Sequence, residues 1–236
     1  MTPRPARLLH TSDCHLDALD NGPCQRAFAA SIDLAISTDV DAIVISGDLF
    51  DHARVAPDIL DWTAMQLDRA ERPVVLLTGN HDALHDTSVH HRFVAEQRCR
   101  AVSMLDNPGG SSVEIPGTDV VVWGRAMVEH SPEYQPLLGS PSRVQGRWLV
   151  IAAHGLATAT TAPGRSSVIP HTDLDALDAD YVALGHIHAH QVVRNAPLAV
   201  YPGATARSFD GQAGCVIVDL APGRATTATW TALTWD

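Results

Sequence analysis

Val74 to Asp82 reads VVLLTGNHD. Val74-Val75-Leu76-Leu77 is a short, wholly apolar run, as expected of a strand covered on both faces. It breaks at Thr78 into Gly79-Asn80, which tolerate positive φ and make ordinary turns. A turn has no need of His81 and Asp82 directly behind it. The stretch therefore predicts a buried strand, Pro73–Thr78, whose carboxyl end carries side chains able to do chemistry.

Outward from that strand, the first half of the chain alternates. A strand over Arg7–Thr11 precedes a helical pattern over Asn21–Thr38. The apolar run Ala42–Ser46 precedes a helix over Pro57–Arg69, with Pro57 in its first turn. A helix over Ser88–Gln97 and a strand over Ala101–Leu105 follow. This spacing suits βαβ units and a parallel sheet with both faces covered. The second half is richer in strands: Ser112–Ile115, Val120–Trp123, Trp148–Ala153, Tyr181–Leu184, Gln191–Arg194, Ala199–Tyr201, Gly214–Asp219 and Thr226–Leu233. Short helical segments are expected around Ser131–Leu138 and Thr172–Leu177, beside loops at Pro132–Ser142 and Thr158–Pro170. No internal repeat or linker divides the chain, so one α/β domain over 1–236 is expected.

Composition narrows the function classes. The 236 residues are 45% hydrophobic, enough for a sizeable core. Twenty-seven acids against 16 bases give a formal charge of −11, which repels polyanions and argues against a broad duplex-DNA footprint. Four cysteines (Cys14, Cys24, Cys99, Cys215) form no CxxC pair, so neither a zinc ribbon nor a disulfide framework is expected. No apolar stretch approaches the roughly 20 residues of a membrane span. No signal-peptide core precedes the first polar cluster, and a reduced, cytoplasmic setting follows as the simplest expectation. Thirteen histidines are many for this length, and histidine is the commonest metal ligand.

The histidines and carboxylates gather where strands end. Strand one runs into Ser12-Asp13-Cys14-His15, strand two into Gly47-Asp48-Leu49-Phe50-Asp51, and strand three into Gly79-Asn80-His81-Asp82. Two later strands run into His154-Gly155 and Gly185-His186-Ile187-His188. Carboxyl ends of strands are where open α/β sheets bind ligands. Carboxylates, imidazoles and one amide, with no thiolate required, suit Mn²⁺, with Fe or Zn²⁺ as alternatives. On extended backbone, Asp-x-His and His-x-His spacing would put both side chains on one side, with Cys14 pointing the other way.

Taken in order, Asp13-x-His15, Gly47-Asp48-x-x-Asp51, Gly79-Asn80-His81-Asp82, His154-Gly155 and Gly185-His186-x-His188 resemble the calcineurin-like metallophosphoesterases. HTSDCHLD, SGDLFDHARV, RPVVLLTGNHD, GHIHAHQ and AVYPGATARSFD are similar to the bacterial SbcD-type DNA-repair exonuclease branch. The resemblance implies a two-sheet α/β sandwich flanked by helices, with a dinuclear metal site at strand carboxyl ends. By the same resemblance Asp13, His15 and His188 would hold one ion, Asn80, His154 and His186 the other, and Asp48 would bridge them. His81 would stand by the leaving group, Asp82 would orient His81, and a metal hydroxide would attack phosphorus. The implied activity is phosphodiester or nucleic-acid hydrolysis, with single-stranded or short nucleic acid as substrate. A cyclic-nucleotide phosphodiesterase and a non-catalytic binding scaffold are the competing readings. SbcD-type nucleases engage an ATPase through material after this domain; the sequence stops at Asp236, so no substantial capping domain is expected and an ATPase partner gains no support.

Taken singly, a strand-end Asp or His is a cap or turn residue, and only the joint pattern points to a site. His52, Arg125 and Arg207 are candidate substrate contacts, while Arg165 reads as surface charge. Asp51 reads as structural support. His10 is expected to face the core, His190 to lie at the surface or behind the site, and His85, His90, His91, His130 and His171 to be solvated. Cys14 reads as a buried small hydrophobe, and Trp62 and Trp148 as core.

Overall fold

A computed structural model of the chain describes residues 1–17, 22–160, 162, 164–206 and 211–235. The first half builds as its pattern predicts: β1 (Ala6–Thr11), α1 (Pro23–Ser37), β2 (Ala42–Ser46), α2 (Pro57–Arg69), β3 (Val74–Leu77), α3 (His90–Phe93), α4 (Ala95–Arg98) and β4 (Val102–Leu105). Then come β5 (Ser111–Glu114), β6 (Val120–Gly124), β7 (Trp148–His154), β8 (Leu156–Thr158), β9 (Val168–Pro170), α5 (His171–Asp175) and β10 (Tyr181–Gly185). The chain closes with β11 (Gln191–Asn195), β12 (Leu198–Tyr201), β13 (Gly214–Leu220) and β14 (Thr227–Ala232).

Among the described residues, these strands form two six-stranded sheets and a small β8–β9 pair. The first sheet runs β14-β13-β1-β2-β3-β4. Its β1 to β4 are mutually parallel, and β13 and β14 close it antiparallel. The second runs β11-β12-β10-β7-β6-β5, with β6, β7, β10 and β12 parallel and antiparallel strands at both edges. This is the expected α/β sandwich. β2, β3, β7 and β10 are buried along their whole length, which is why they read as unbroken apolar runs.

Alternate residues of each strand serve different cores. Leu8, Val44, Val75 and Leu77 face the second sheet's Val122, Val150, Ala183 and Val200 and form the layer between the sheets. Leu9, Ile43, Ile45 and Leu76 turn outward against Phe28 and Ile32 of α1 and Ile59, Leu60 and Leu67 of α2. The outer face of the second sheet carries a smaller cluster, with Leu137 and Leu174 packed on Ile151, Val182 and Leu184. His10 is fully buried between the sheets, where its nitrogens meet Tyr181 Oη at 2.9 Å and Ser46 Oγ at 2.8 Å. Burial pushes its pKa down to about 3. Among the described residues no helix is long and apolar enough to cross a membrane. The cysteines are free and buried, and Trp148 is buried while Trp62 packs on the outer cluster.

Three expectations are corrected. The helix expected over 88–97 is split at Val94, whose φ of 40° breaks it into α3 and α4. A β-branched residue rarely adopts that conformation; here the break lets Phe93 and Ala95 both enter the core. Residues 131–138 form turns and no helix, because Pro132 and Pro136 remove donors within one short segment. The expected loop 158–170 begins and ends in the paired strands β8 and β9, too short to show a period.

Candidate metal centre

After β1 the chain runs beside the segment that follows β2. Asp13, His15 and Leu16 donate their N–H groups to the carbonyls of Gly47, Asp48 and Leu49 at 3.0, 3.1 and 3.0 Å. These bonds hold Asp13 and His15 at φ of 53° and 49°, and Asp48 and His186 also have positive φ. The extended backbone expected for Asp13-x-His15 is therefore wrong. Tertiary bonds, and not strand alternation, aim the two side chains. Cys14 between them does turn into the core, with Sγ 3.3 Å from Thr205 Oγ1. Two glycines are required by space. A Cβ on Gly47 would fall 2.2 Å from His154 Nδ1, and one on Gly79 2.1 Å from Asp48 Oδ1.

Ligand atoms of Asp13, His15 and His188 lie within 4.8 Å of one another, and so do those of Asp13, Asp48 and His154. Asp48 also groups with His15 and His81, so its carboxylate faces both halves of the cluster. Asn80 Oδ1 lies 3.1 Å from His154 Nε2 and 2.9 Å from His186 Nδ1. The fold thus brings together Asp13, His15, Asp48, Asn80, His154, His186 and His188. The first four come from the first sheet's loops and the last three from the second's.

The donor set fits divalent cations. Asp13 Oδ2 accepts from Ser12 Oγ and from the His186 N–H at 3.0 Å, but the buried Oδ1 has no hydrogen-bond donor among the described residues. Such an atom calls for an explanation, and a cation supplies one. His15 Nδ1 lies 2.9 Å from Asp51 Oδ1, and His154 Nδ1 lies 2.9 Å from Ser46 O. Each bond keeps a proton on Nδ1, so that Nε2 is the nitrogen that serves as ligand once it carries no proton. His15 Nε2 and His188 Nε2 then face each other at 3.0 Å.

Burial and charge compete in this cluster. Burial would lower the His154 pKa, but the carboxylates of Asp48 and Asp13 hold it up at about 9. Burial, helped by His154, holds His186 down at about 4, and burial also lowers His15. Asp13 is buried, which raises its pKa, yet His188, His154 and Ser12 keep it well below the usual carboxylate range. The Asp13 carboxylate, whose Oδ1 lies 3.4 Å from His188 Nε2, raises the His188 pKa.

His81 is 42% exposed, and its Nδ1 donates to Asp51 O at 2.8 Å, with Asp51 Oδ1 at 3.4 Å. Its ring stands edge-on to His15 at 4.6 Å. Asp82, the expected orienter of His81, points elsewhere. Its carboxylate is buried and accepts from the N–H groups of Gly79, Leu49 and Phe50 at 2.7, 2.9 and 3.3 Å. It also faces His90 Nε2 at 3.2 Å. Asp82 therefore ties the loop after β2 to the loop after β3, and Asp51 is the residue that orients His81. His90 is buried against Phe50 and Phe93 and not solvated as expected. Nothing local in the sequence marks it, since its partner lies eight positions back.

The substrate candidates divide. His52 follows Asp51 in the chain and is exposed, and its Nδ1 accepts from Arg54 N at 3.1 Å. Arg125 is engaged by Pro108 O and Gln135 O and stacks over Tyr134, so it braces a loop and is no free phosphate clamp. Arg207 lies outside the described residues. His190 contacts Tyr201 O and the Trp230 ring, a place behind the site.

Comparison with known proteins agrees with this fold. The family model described as calcineurin-like phosphoesterase matches residues 6–190. The chain is 26% identical over 272 residues to the SbcD component of the nuclease SbcCD of Bacillus subtilis, covering 95% of this chain and 68% of that protein. It is 28% identical over 223 residues to the DNA double-strand break repair protein Mre11 of Aeropyrum pernix, covering 84% of this chain and 53% of that one. The chain thus spans about half to two thirds of these relatives. A dimetal phosphatase from Danio rerio shares the fold with a TM-score of 0.59 at 11% identity, over 97% of this chain and 99% of that one. The match runs from β1 past the last of the clustered histidines, and on that extent the chain belongs to the calcineurin-like phosphoesterase family.

Proposed function

We propose that the protein is a metal-dependent phosphoester hydrolase acting on phosphodiesters, with short or single-stranded nucleic acid as its substrate class. The observation that carries this reading is the buried, donor-free Asp13 Oδ1 at the meeting point of three imidazoles and the shared Asp48 carboxylate. Asp13, His15 and His188 would hold one divalent ion, and Asn80, His154 and His186 a second, with Asp48 between them. Mn²⁺ fits the oxygen and imidazole donors first, Fe or Zn²⁺ next. When bound, such ions supply the positive charge that offsets charge gathering on the phosphoryl oxygens.

The chain's own groups do the rest. Asp51 fixes the His81 ring through its Nδ1–H, so the ring gives a proton to the departing oxygen from Nε2 when it is the doubly protonated imidazolium. The Asp48 carboxylate, anchored by the His81 N–H at 2.9 Å, keeps like-charged ligands and the turn in one register. Asp82 secures that turn from below. The nuclease reading draws on the likeness to SbcD and Mre11. The charge of −11 favours short or single-stranded substrates over a long duplex.

The test is metal content together with hydrolysis of bis(p-nitrophenyl) phosphate, with and without added Mn²⁺. Metal-dependent cleavage supports the proposal; metal-loaded protein that cleaves neither mono- nor diesters would make it a binding scaffold. Linear single-stranded DNA set against cyclic nucleotides then separates the nuclease from a small-molecule diesterase.

A further inference from the structure

His130 reads as a solvated residue in the sequence and is exposed in the fold. Yet its ring stands edge-on to His186 at 6.0 Å. His81 has the same relation to His15 at 4.6 Å. His15 groups with Asp13 and His188, whereas His186 shares Asn80 with His154. Two exposed imidazoles therefore flank the two halves of the centre. One of them, His81, already has a role in the proposed reaction.

The loop that bears His130 is tied down far more firmly than a solvated loop requires. Met127, three residues before it, donates its N–H to Thr78 Oγ1 at 2.8 Å and accepts at its carbonyl from Leu84 N at 2.8 Å. Its side chain is buried with Ala83 and Tyr134. Ala126 N donates to Asn107 O at 3.1 Å, and Tyr134 Oη donates to Arg125 O at 2.6 Å. Arg125 in turn joins Pro108 O to Gln135 O. Residues 78 and 84 bracket the turn that carries Asn80 and His81. The loop is thus fastened to the same turn that presents the leaving-group histidine. Ordering a surface loop costs conformational entropy, and these bonds offset that cost at one specific place.

We propose that His130 is a second substrate-contacting imidazole, donating a hydrogen bond to a phosphoryl oxygen of a phosphoester held on the Asn80–His154–His186 side. The inference rests on the hydrolase reading above and adds a residue that recognises the substrate's phosphate. A neutral imidazole offers one N–H donor and one acceptor. A donor to a charged oxygen corresponds to roughly 10- to 100-fold in binding.

The experiment uses the full chain loaded with Mn²⁺, as wild type, His130→Ala and His130→Gln. Calorimetry measures the dissociation constant of inorganic phosphate, and kinetics on bis(p-nitrophenyl) phosphate give KM and kcat separately. His130→Ala should raise the phosphate Kd and the KM about 10-fold, with a smaller change in kcat and unchanged metal content. His130→Gln, which keeps an N–H donor, should recover part of the loss. Wild-type phosphate affinity and KM in His130→Ala would overturn the proposal, as would loss of an ion, which would mean that His130 acts on the metal centre. If the alanine variant does not fold, His130→Phe keeps the ring's bulk, removes the donor and carries the same comparison. If no variant, wild type included, hydrolyses any ester, the hydrolase reading fails; the phosphate titration still decides the His130 contact.

Discussion

The two sheets contribute different chemistry to one site. The first sheet, covered by α1 and α2, supplies both carboxylates, the amide and His15 from loops held by backbone bonds between β1 and β2. The second supplies three histidines directly after β7 and β10, under a thinner outer cluster. Negative charge comes mainly from one layer and most of the imidazoles from the other. Each set alone is incomplete, so the ligand distances depend on how the sheets meet. The layer between the sheets should therefore control metal binding, while the part of the helix-covered layer away from Cys14 and Leu49 should control stability alone.

The largest expected effects lie at the centre. His81→Ala should keep its metal and lose roughly 10²–10⁴-fold in diester hydrolysis. Asp48→Ala should lose both ions and His186→Ala one, read by metal analysis of the purified proteins. Equal losses in the two would break the idea that Asp48 serves both halves.

Next comes a pair of core truncations. Leu77, buried between the sheets, and Leu60, on the buried face of α2, should each cost about 2–5 kcal/mol on replacement by alanine, measured by denaturant unfolding. Only Leu77→Ala should also weaken metal affinity. If Leu60→Ala weakens it as much, the two layers do not differ as argued.

A smaller effect concerns His10. Its folded pKa is pushed down to about 3, against 6.5 in an unfolded chain. Below 6.5 the unfolded chain takes up a proton that the folded protein refuses, so stability falls as pH drops from 6.5 towards 3. The slope from this one group is at most about 1.4 kcal/mol per pH unit. His10→Asn should flatten the pH dependence of stability by that amount, and an unchanged slope would show that the ring is not held neutral.

The smallest effect belongs to Arg125→Met. Loosening the brace should weaken phosphate binding in the same direction as His130→Ala but less. In the double variant it should add nothing, because both act through one loop.

The strands of the sandwich were legible because burial on both faces writes itself as apolar runs, and β2 matches its expected limits residue for residue. The cluster was legible because its members sit at strand ends in a fixed order. What escaped depends on contacts between distant segments. The left-handed backbone at Asp13 and His15 comes from bonds to Gly47 and Asp48, over thirty positions away, which no local period reports. Asp82 follows His81 in the chain, and adjacency suggested a partnership that the turn prevents. His90 and His130 looked alike as isolated polar histidines. One is buried against a carboxylate and the other stands on the lip of the centre, a difference created by packing.

The glycines of the centre also bear on its future variation. A Cβ on Gly79 would fall 2.1 Å from Asp48, and one on Gly185 would fall 2.0 Å from Ser46 O. The floor has no volume to spare, so neither drift nor deliberate redesign can change what the site accepts from beneath. New selectivity has to be written on the lip, around His130, where side chains meet solvent and a substitution displaces only water.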